Sequence, residues 1–490
     1  MEYRNWIDGE WVEPSGERTL PNVNPADTRD VLGTLRLSSR EDVRRAVAGA
    51  KRAFPAWRRT PAPERARVVA RAQKILEAQA DELARLLTRE EGKVLAEARG
   101  EVAKTINVLE FMAGEGYRMG GITRPSVLPS NFCYTVRQPL GVVGLITPWN
   151  FPVCIPAWKI APALIAGNTI VFKPSELTPA TAEVVVRAFI EAGCPAGVLQ
   201  LVHGDAEAGD EIVRHPEIPA ISFTGSNEVG RSIYETAAGM LKKVQCEMGG
   251  KNPIVVLEDA DLELAAAGAA KGAFGSTGQR CTATSRAIVH EAVADRFVEL
   301  VAEHARRIVP GNGLQEGVTM GPSVDREQFD KVLSYIEIGK QEGATLVLGG
   351  SRAEGEGLEH GYFPAPTIFD HVRPGMRIAR EEIFGPVLSV IRVRDLDEAI
   401  EIANDVEYGL TSSLYTRDPN RWFRFVDEIE TGITHLNSPT PGGESQMPFG
   451  GVKATGVGAR EMGDTAIDFF TELKAVYVDY TGAKRESNVY

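Results

Sequence analysis

What the chain lacks narrows it first. Its five cysteines, Cys133, Cys154, Cys194, Cys246 and Cys281, include no CxxC pair, so reduced thiols are expected rather than a disulfide framework or a zinc cluster. The seven histidines form no HExxH, and there is no P-loop, no GxGxxG and no clustered set of metal ligands; no metal is expected. Positive charge is scarce. Lys and Arg number 54 against 67 Asp and Glu, a net −13, which disfavours nucleic acid as a partner. The most apolar window, 153–172, is interrupted by Pro156, Lys159, Pro162 and Asn168, so it does not read as a membrane span. The opening residues have neither the basic start nor the apolar run of a secretion signal, and a cytoplasmic protein without a membrane partner is expected.

What is present is the composition of an ordinary globular enzyme, 43% apolar and 25% charged. Its 490 residues exceed what one core organises and call for two or three domains. Asp8-Gly9 between two Trp-containing runs predicts a hairpin. Ser39 with Asp42 forms a capping-box pattern ahead of a helix, and further helices are expected over 63–91 and 94–117. The stretch 127–136 reads as extended. From Gly141 short apolar runs alternate with helical patterns, and a second alternation starts at Pro253. Apolar strands alternating with helices imply parallel sheets covered on both faces. A last alternating run, 475–480, needs a strand partner.

Three stretches carry the chemistry. Cys281 follows the small, flexible Gly275-Ser276-Thr277-Gly278, where it is either a structural thiol or a nucleophile. Glu247 stands before Gly249-Gly250, a place for a solvated carboxylate or a general base. Asn150, stiffened by Pro148 and Pro152, is a turn residue or a fixed donor to an oxyanion. Together they supply a nucleophile, a base and an amide donor, the inventory of covalent acyl chemistry. Gly225-Ser226 closes a strand and opens a helix, which makes an N-cap turn or a phosphate site. Lys173 and Glu176 end another strand, as a solvated charge pair or as ribose ligands.

In order along the chain, TPWNFP, FKPSE, FTGS-x-x-VG, EMGGKNP, GQRC, EEIFGP and PFGG resemble the aldehyde dehydrogenase superfamily over almost the whole length. The resemblance implies an α/β fold in three parts. These are a Rossmann-like parallel-sheet cofactor domain (1–118 and 140–249), an α/β catalytic domain (250–464) and a small β oligomerisation element (119–139 and 465–490). It also implies NAD, with NADP an alternative, and oxidation of an aldehyde to an acid. Cys281 is then the nucleophile, Glu247 the deacylation base, and Asn150 with the Cys281 amide the oxyanion hole. Thr147, Pro148, Trp149, Lys173, Ser175, Glu176, Gly225, Ser226, Gly249, Glu382 and Phe384 line the cofactor site, and Phe151, Trp158 and Phe449 line the substrate tunnel. Cys246 and Met248 replace the leucines that often flank the base. The resemblance further implies a homodimer or homotetramer.

In finer detail FGSTGQRCTATSR and LNSPTPGGESQMPFGG (from Leu436) are similar to bacterial semialdehyde dehydrogenases, such as the 2-oxoglutarate semialdehyde group, with succinic semialdehyde a further candidate substrate. A distal carboxylate would need a cation; Arg280 and Arg124 are candidates, and Glu444 in a loop with no basic residue argues against one. The aromatic tunnel residues therefore favour broad activity on medium aliphatic or aromatic aldehydes, with a small-molecule aldehyde as the only partner besides the cofactor. Two rivals remain: a CoA-acylating enzyme, which would need no Glu247, and a catalytically silent binding protein of the same fold.

Overall fold

Runs such as Val142–Ile146, Thr169–Lys173 and Ala220–Thr224 are buried at every position, as apolar strands covered on both faces must be. The computed structural model describes residues 2–482, so Met1 and the 483–490 part of the expected oligomerisation element lie outside the described residues. An eight-stranded sheet runs Glu10–Val12, Asn5–Ile7, Leu199–Leu201, Thr169–Lys173, Val142–Ile146, Ala220–Thr224, Lys243–Glu247 and Gly456–Val457. Its five central strands are parallel, and the N-terminal hairpin and Gly456–Val457 add antiparallel edges. Asp8 and Gly9 both have positive φ, as the hairpin turn requires. Chain order reverses between Val142–Ile146 and Ala220–Thr224, which opens a crevice at their carboxyl ends.

A seven-stranded sheet follows, ordered Thr345–Leu348, Thr367–Asp370, Val387–Val393, Thr284–His290, Asn252–Val256, Thr411–Tyr415 and Ile433–Leu436. All its pairings are parallel except that of Thr345–Leu348. Only Met248 to Lys251 separate the end of Lys243–Glu247 from the start of Asn252–Val256, so the two sheets meet end to end at Gly249-Gly250. The late strand Thr471–Asp479 finds its partner within the chain, pairing antiparallel with Asn131–Pro139 in a three-stranded sheet.

Two expectations shift. The helix expected over 63–91 is two, Ala62–Ala78 and Ala80–Glu91, broken at Gln79 (φ −108°, ψ 14°) so that Leu83, Ala84 and Leu87 of the second turn inward. The extended stretch begins only at Asn131, because Ser130 takes φ 55° and breaks the strand conformation before it.

A buried ionic clamp joins the helix Leu95–Arg118 to the loop that carries Asn150. Glu101 accepts from the Val153 and Cys154 amides at 2.9 and 3.1 Å. This satisfies the N-terminus of the buried helix Cys154–Ala166, which has no side-chain cap of its own. The other Glu101 oxygen takes Lys93 Nζ at 2.6 Å, and Lys93 also donates to the Asn150 carbonyl at 2.7 Å and stands 4.2 Å over the Phe151 ring. Burial opposes the Lys93 charge, but Glu101 and Glu91 outweigh it and raise its pKa. Lys93→Met strands those carboxylates in the interior and should destabilise the fold by about 3–5 kcal/mol. Adding Glu101→Gln should recover part of the loss in urea melts; an equal loss in single and double variants would contradict an ionic clamp.

Candidate active site

The nucleophile loop is strained and heavily tied down. Ser276, Thr277 and Gly278 take φ of 49°, 58° and 69° in succession, a left-handed turn that persists only when its surroundings enforce it. Glu97 accepts from the Ser276 amide at 2.7 Å, Thr277 donates to the Gly321 carbonyl at 2.8 Å, and the Gln279 side chain spans Pro322 and Val324. Asn252 donates to the carbonyls of Cys281 and Ala283, both at 2.8 Å, and Thr440 to that of Thr282 at 2.9 Å. Cys281 thus sits on a rigid turn, half-buried and free of any disulfide. Burial pushes its thiol up to about 12, aided by the Glu382 and Glu247 carboxylates and opposed by the Thr282 amide.

Asn150 is buried, and its Nδ2 donates to the Gln279 carbonyl at 3.1 Å. With the backbone carbonyl on Lys93 and one amide N–H on Gln279, the residue is fixed at both ends. Its second N–H remains to serve a ligand. Asn150 and Cys281 wall the same 160 Å³ cavity. Glu247 is not among that cavity's lining residues. Its carboxylate accepts from the Gly451 amide at 3.2 Å and packs on Gly450, where a side chain would overlap it. Burial, then the Glu461 carboxylate, raises the Glu247 pKa well above the usual range, against the pull of Arg460 and Lys159. Glu461 itself pairs with buried Lys159, which donates to Ser222 at 2.7 Å.

The crevice at the switch point is a 620 Å³ groove lined by Thr147, Pro148, Trp149, Lys173, Ser175, Glu176, Gly225 and Ser226. Pro148, Trp149, Gly225 and Ser226 also wall the smaller cavity, together with Gly249, Glu382 and Phe384, so the groove adjoins the Cys281 cavity. The groove suits a dinucleotide. The helix Asn227–Gly239 points its N-terminus there, and the buried Thr147 and Thr224 hydroxyls have no hydrogen-bond partner. A side chain at Gly249 would overlap the Glu382 carboxylate, which accepts from the Gly250 amide at 2.8 Å. Lys173 bonds the Pro174 carbonyl at 3.1 Å and Glu176 at 3.4 Å. Trp149 and Phe384 meet edge to face, 5.5 Å between centroids.

Trp158 and Phe449 stack with centroids 5.4 Å apart in a core that Phe151 and Cys281 border. Sequence reasoning missed Lys93, Glu101, Glu461, Asn252, and two further cavity residues, Gln328 and Lys331 from the helix Arg326–Gln341. Asn252 lies within EMGGKNP, where nothing local tells that it reaches the Cys281 carbonyl, and the others belong to no local motif. Of the two arginines considered, Arg280 is paired with Glu97 at 3.2 Å, and Arg124 is exposed in the three-stranded sheet. Among the described residues no cluster of His, Cys, Asp or Glu could hold a metal, and no helix is long and apolar enough to cross a membrane.

Comparison with known proteins places these features. The profile of the aldehyde dehydrogenase family matches residues 11–476. The chain is 46% identical over 477 residues to the alpha-ketoglutaric semialdehyde dehydrogenase of Bacillus subtilis, covering 97% of this chain and 98% of that protein. It is 44% identical over 474 residues to malonate-semialdehyde dehydrogenase 2 of Geobacillus thermodenitrificans, covering 96% and 98%. The structure of betaine aldehyde dehydrogenase from Staphylococcus aureus in complex with NAD+ superposes with a TM-score of 0.96 at 35% identity, covering 100% of this chain and 97% of that one.

Glu461 is the charge that most raises the Glu247 pKa after burial itself. Glu461→Gln removes that repulsion and leaves Lys159 to draw Glu247 toward its ionised form, so Glu247 should lose its proton at lower pH. Infrared difference titration should show the buried carboxylic-acid band, absent from Glu247→Gln, moving to lower pH in Glu461→Gln. A band that stays or moves upward would contradict the coupling.

Proposed function

The chain belongs to the aldehyde dehydrogenase family, and we propose that it oxidises a semialdehyde with a distal carboxylate to the diacid through a thioester on Cys281. As a family member it is an NAD(P)-dependent oxidoreductase acting on aldehydes. The observation that carries the catalytic reading is that the groove adjoins the cavity shared by Asn150 and Cys281, with Pro148, Trp149, Gly225 and Ser226 as common walls. The substrate class rests on the two relatives, whose named substrates both carry a carboxylate away from the aldehyde. Sequence alone favoured broad aliphatic or aromatic use; 44–46% identity over nearly the whole chain weighs more.

The roles follow from the geometry. The Cys281 thiol gives its proton to solvent as sulfur bonds to the aldehyde carbon, and the carbonyl pair moves onto oxygen. Asn150 Nδ2–H and the Cys281 amide hold that oxyanion. When the alkoxide re-forms C=O, hydride leaves carbon with its electron pair, and a thioester remains on Cys281. The nicotinamide of NAD, when bound, accepts that hydride. Glu247 turns from Gly450-Gly451 toward the thioester and takes a proton from water as the water oxygen attacks. The C–S bond breaks, the thiol is restored, and the acid departs. Lys173 and Glu176 would hold the adenosine ribose, Ser226 and the helix start behind it the pyrophosphate, and Glu382 the other ribose, with Thr147, Pro148, Trp149, Ser175, Gly225, Gly249 and Phe384 as walls.

Residues 1–118 with 140–249 serve as the cofactor domain and 250–464 as the catalytic one, with Gly456–Val457 reaching back into the cofactor sheet. The sheet of 119–139 and 465–490 serves oligomerisation: Thr471–Asp479 lies at its edge with Leu473 exposed, which suits a homodimer or a pair of dimers. A cytoplasmic location fits the reduced cysteines.

NADH formation from 2-oxoglutarate, malonate and succinic semialdehydes and from hexanal, with and without CoA, tests the reading. The semialdehydes should exceed hexanal by about 100-fold in kcat/KM, roughly 2.7 kcal/mol of transition-state binding, and CoA should change nothing. Hexanal as the better substrate would overturn the substrate class, and CoA dependence would overturn hydrolytic release. Glu247→Gln should give one NADH per site and then stall, whereas Cys281→Ala should give none while still binding NAD; full turnover by Glu247→Gln would remove it as the base. Glu176, Asp205, Asp210 and Glu228 line the groove against one Lys, so NAD should be preferred over NADP. Glu176→Ser should narrow that preference, and a wild type with the lower KM for NADP would refute it.

A further inference from the structure

A carboxylate on the substrate needs a cation, and Arg280, which adjoins Cys281 in sequence, is already committed. Arg280 places Nε and Nη2 on the Ser276 hydroxyl at 2.9 and 2.7 Å and Nη2 on Glu97. Lys173 lines the dinucleotide groove, and Lys331 lines the Cys281 cavity, where its charge acts on the Glu382 carboxylate. A separate cavity of 630 Å³ lies between one face of the helix Leu95–Arg118 and the segment 443–446, and Lys104 is the single basic residue among those lining it. We propose that this cavity is the vestibule through which the substrate enters and that Lys104 reads its distal carboxylate. The proposal rests on the semialdehyde reading above and names the residue that would enforce it.

Lys104 is half-buried, and no carboxylate lies within ion-pair distance of its Nζ among the described residues. The Nζ donates to the Gly443 carbonyl at 2.7 Å, a neutral acceptor that an incoming carboxylate can replace with a stronger, charge-assisted bond. Gly442 and Gly443, at φ of +152° and +150°, keep that carbonyl within reach, and a side chain at Gly443 would crowd the ammonium.

Both walls of the cavity lead back to the loop that carries Cys281. Two turns before Lys104 on the same helix, Glu97 grips the Ser276 amide and Arg280 beside the nucleophile. On the other wall, Thr440 bonds the carbonyl after Cys281, and three residues of chain, at most about 11 Å, lead from it to Gly443. Lys104 also faces the start of the helix that follows Phe151. Burial pushes the Cys154 thiol there up to about 12, and Lys104 is the first of the charges opposing that rise. Glu110 and Glu444 stand on the same cavity, but both are exposed to solvent that screens them. The basic residue lacking in the loop is therefore delivered from the facing helix.

The test uses the full-length enzyme with hexanal as internal control. Lys104→Met should lower kcat/KM for 2-oxoglutarate semialdehyde about thirtyfold, the scale of a lost charge-assisted hydrogen bond, chiefly through KM, with hexanal unchanged. Lys104→Arg should retain most of the activity. Asn107→Asp, an exposed change one turn along the same cavity, should raise KM for the semialdehyde alone. A wild type without semialdehyde preference would overturn the substrate reading and this assignment with it. A preference kept by both Lys104→Met and Asn107→Asp would overturn the role of Lys104 and leave the substrate class standing. Equal losses on hexanal would mark Lys104 as structural and likewise overturn it.

Discussion

One buried ammonium sets the register of the active site. Lys93 is held charged by Glu101 and Glu91 in a place water does not reach, and it spends its remaining donor on the backbone of Asn150. An interior charge is tolerable only with its partners complete, so this group enforces a single arrangement of the residues around it. Through Glu101 it fixes the start of the helix behind Phe151, and through Asn150 it fixes the strand of contacts to Gln279, two residues before Cys281. Asn150 and Cys281 are thereby referred to one point, the precision that their proposed roles in transition-state stabilisation require.

Burial works against the charged form of both reacting groups. Together with the Glu382, Glu247 and Glu461 carboxylates it raises the Cys281 pKa, and together with Glu461 it raises that of Glu247. Glu247 lies against Gly450-Gly451 rather than on the wall of the Cys281 cavity. The charges of the two groups act on each other, so that a charge gained by one is felt by the other.

Much of this was legible in the sequence, for a physical reason. Residues that bind phosphate, ribose or an oxyanion sit where backbone geometry is demanding, at strand ends, glycine turns and helix starts, and those places leave local signatures such as TPWNFP and EMGGKNP. All eleven residues expected at the cofactor site line one of the two adjoining cavities. The residues that escaped notice are carried on helix faces. Glu101 and Lys104 read as ordinary charges in a helical pattern, and Gln328 and Lys331 as one side of another helix; only tertiary packing tells which face meets the site. The break at Gln79 escaped likewise, since it carries neither glycine nor proline. Arg280 misled in the opposite sense, for its proximity to Cys281 in sequence hides its pairing with Glu97.

The central claim is that carbon passes through a covalent bond to Cys281. The Glu247→Gln enzyme, supplied with NAD and 2-oxoglutarate semialdehyde, quenched in acid and digested, answers it by peptide mass. The account predicts an acyl adduct on the peptide containing Cys281, dependent on NAD and released by hydroxylamine. No adduct in the presence of NADH formation, or an adduct on Cys133, Cys154, Cys194 or Cys246 instead, would contradict it.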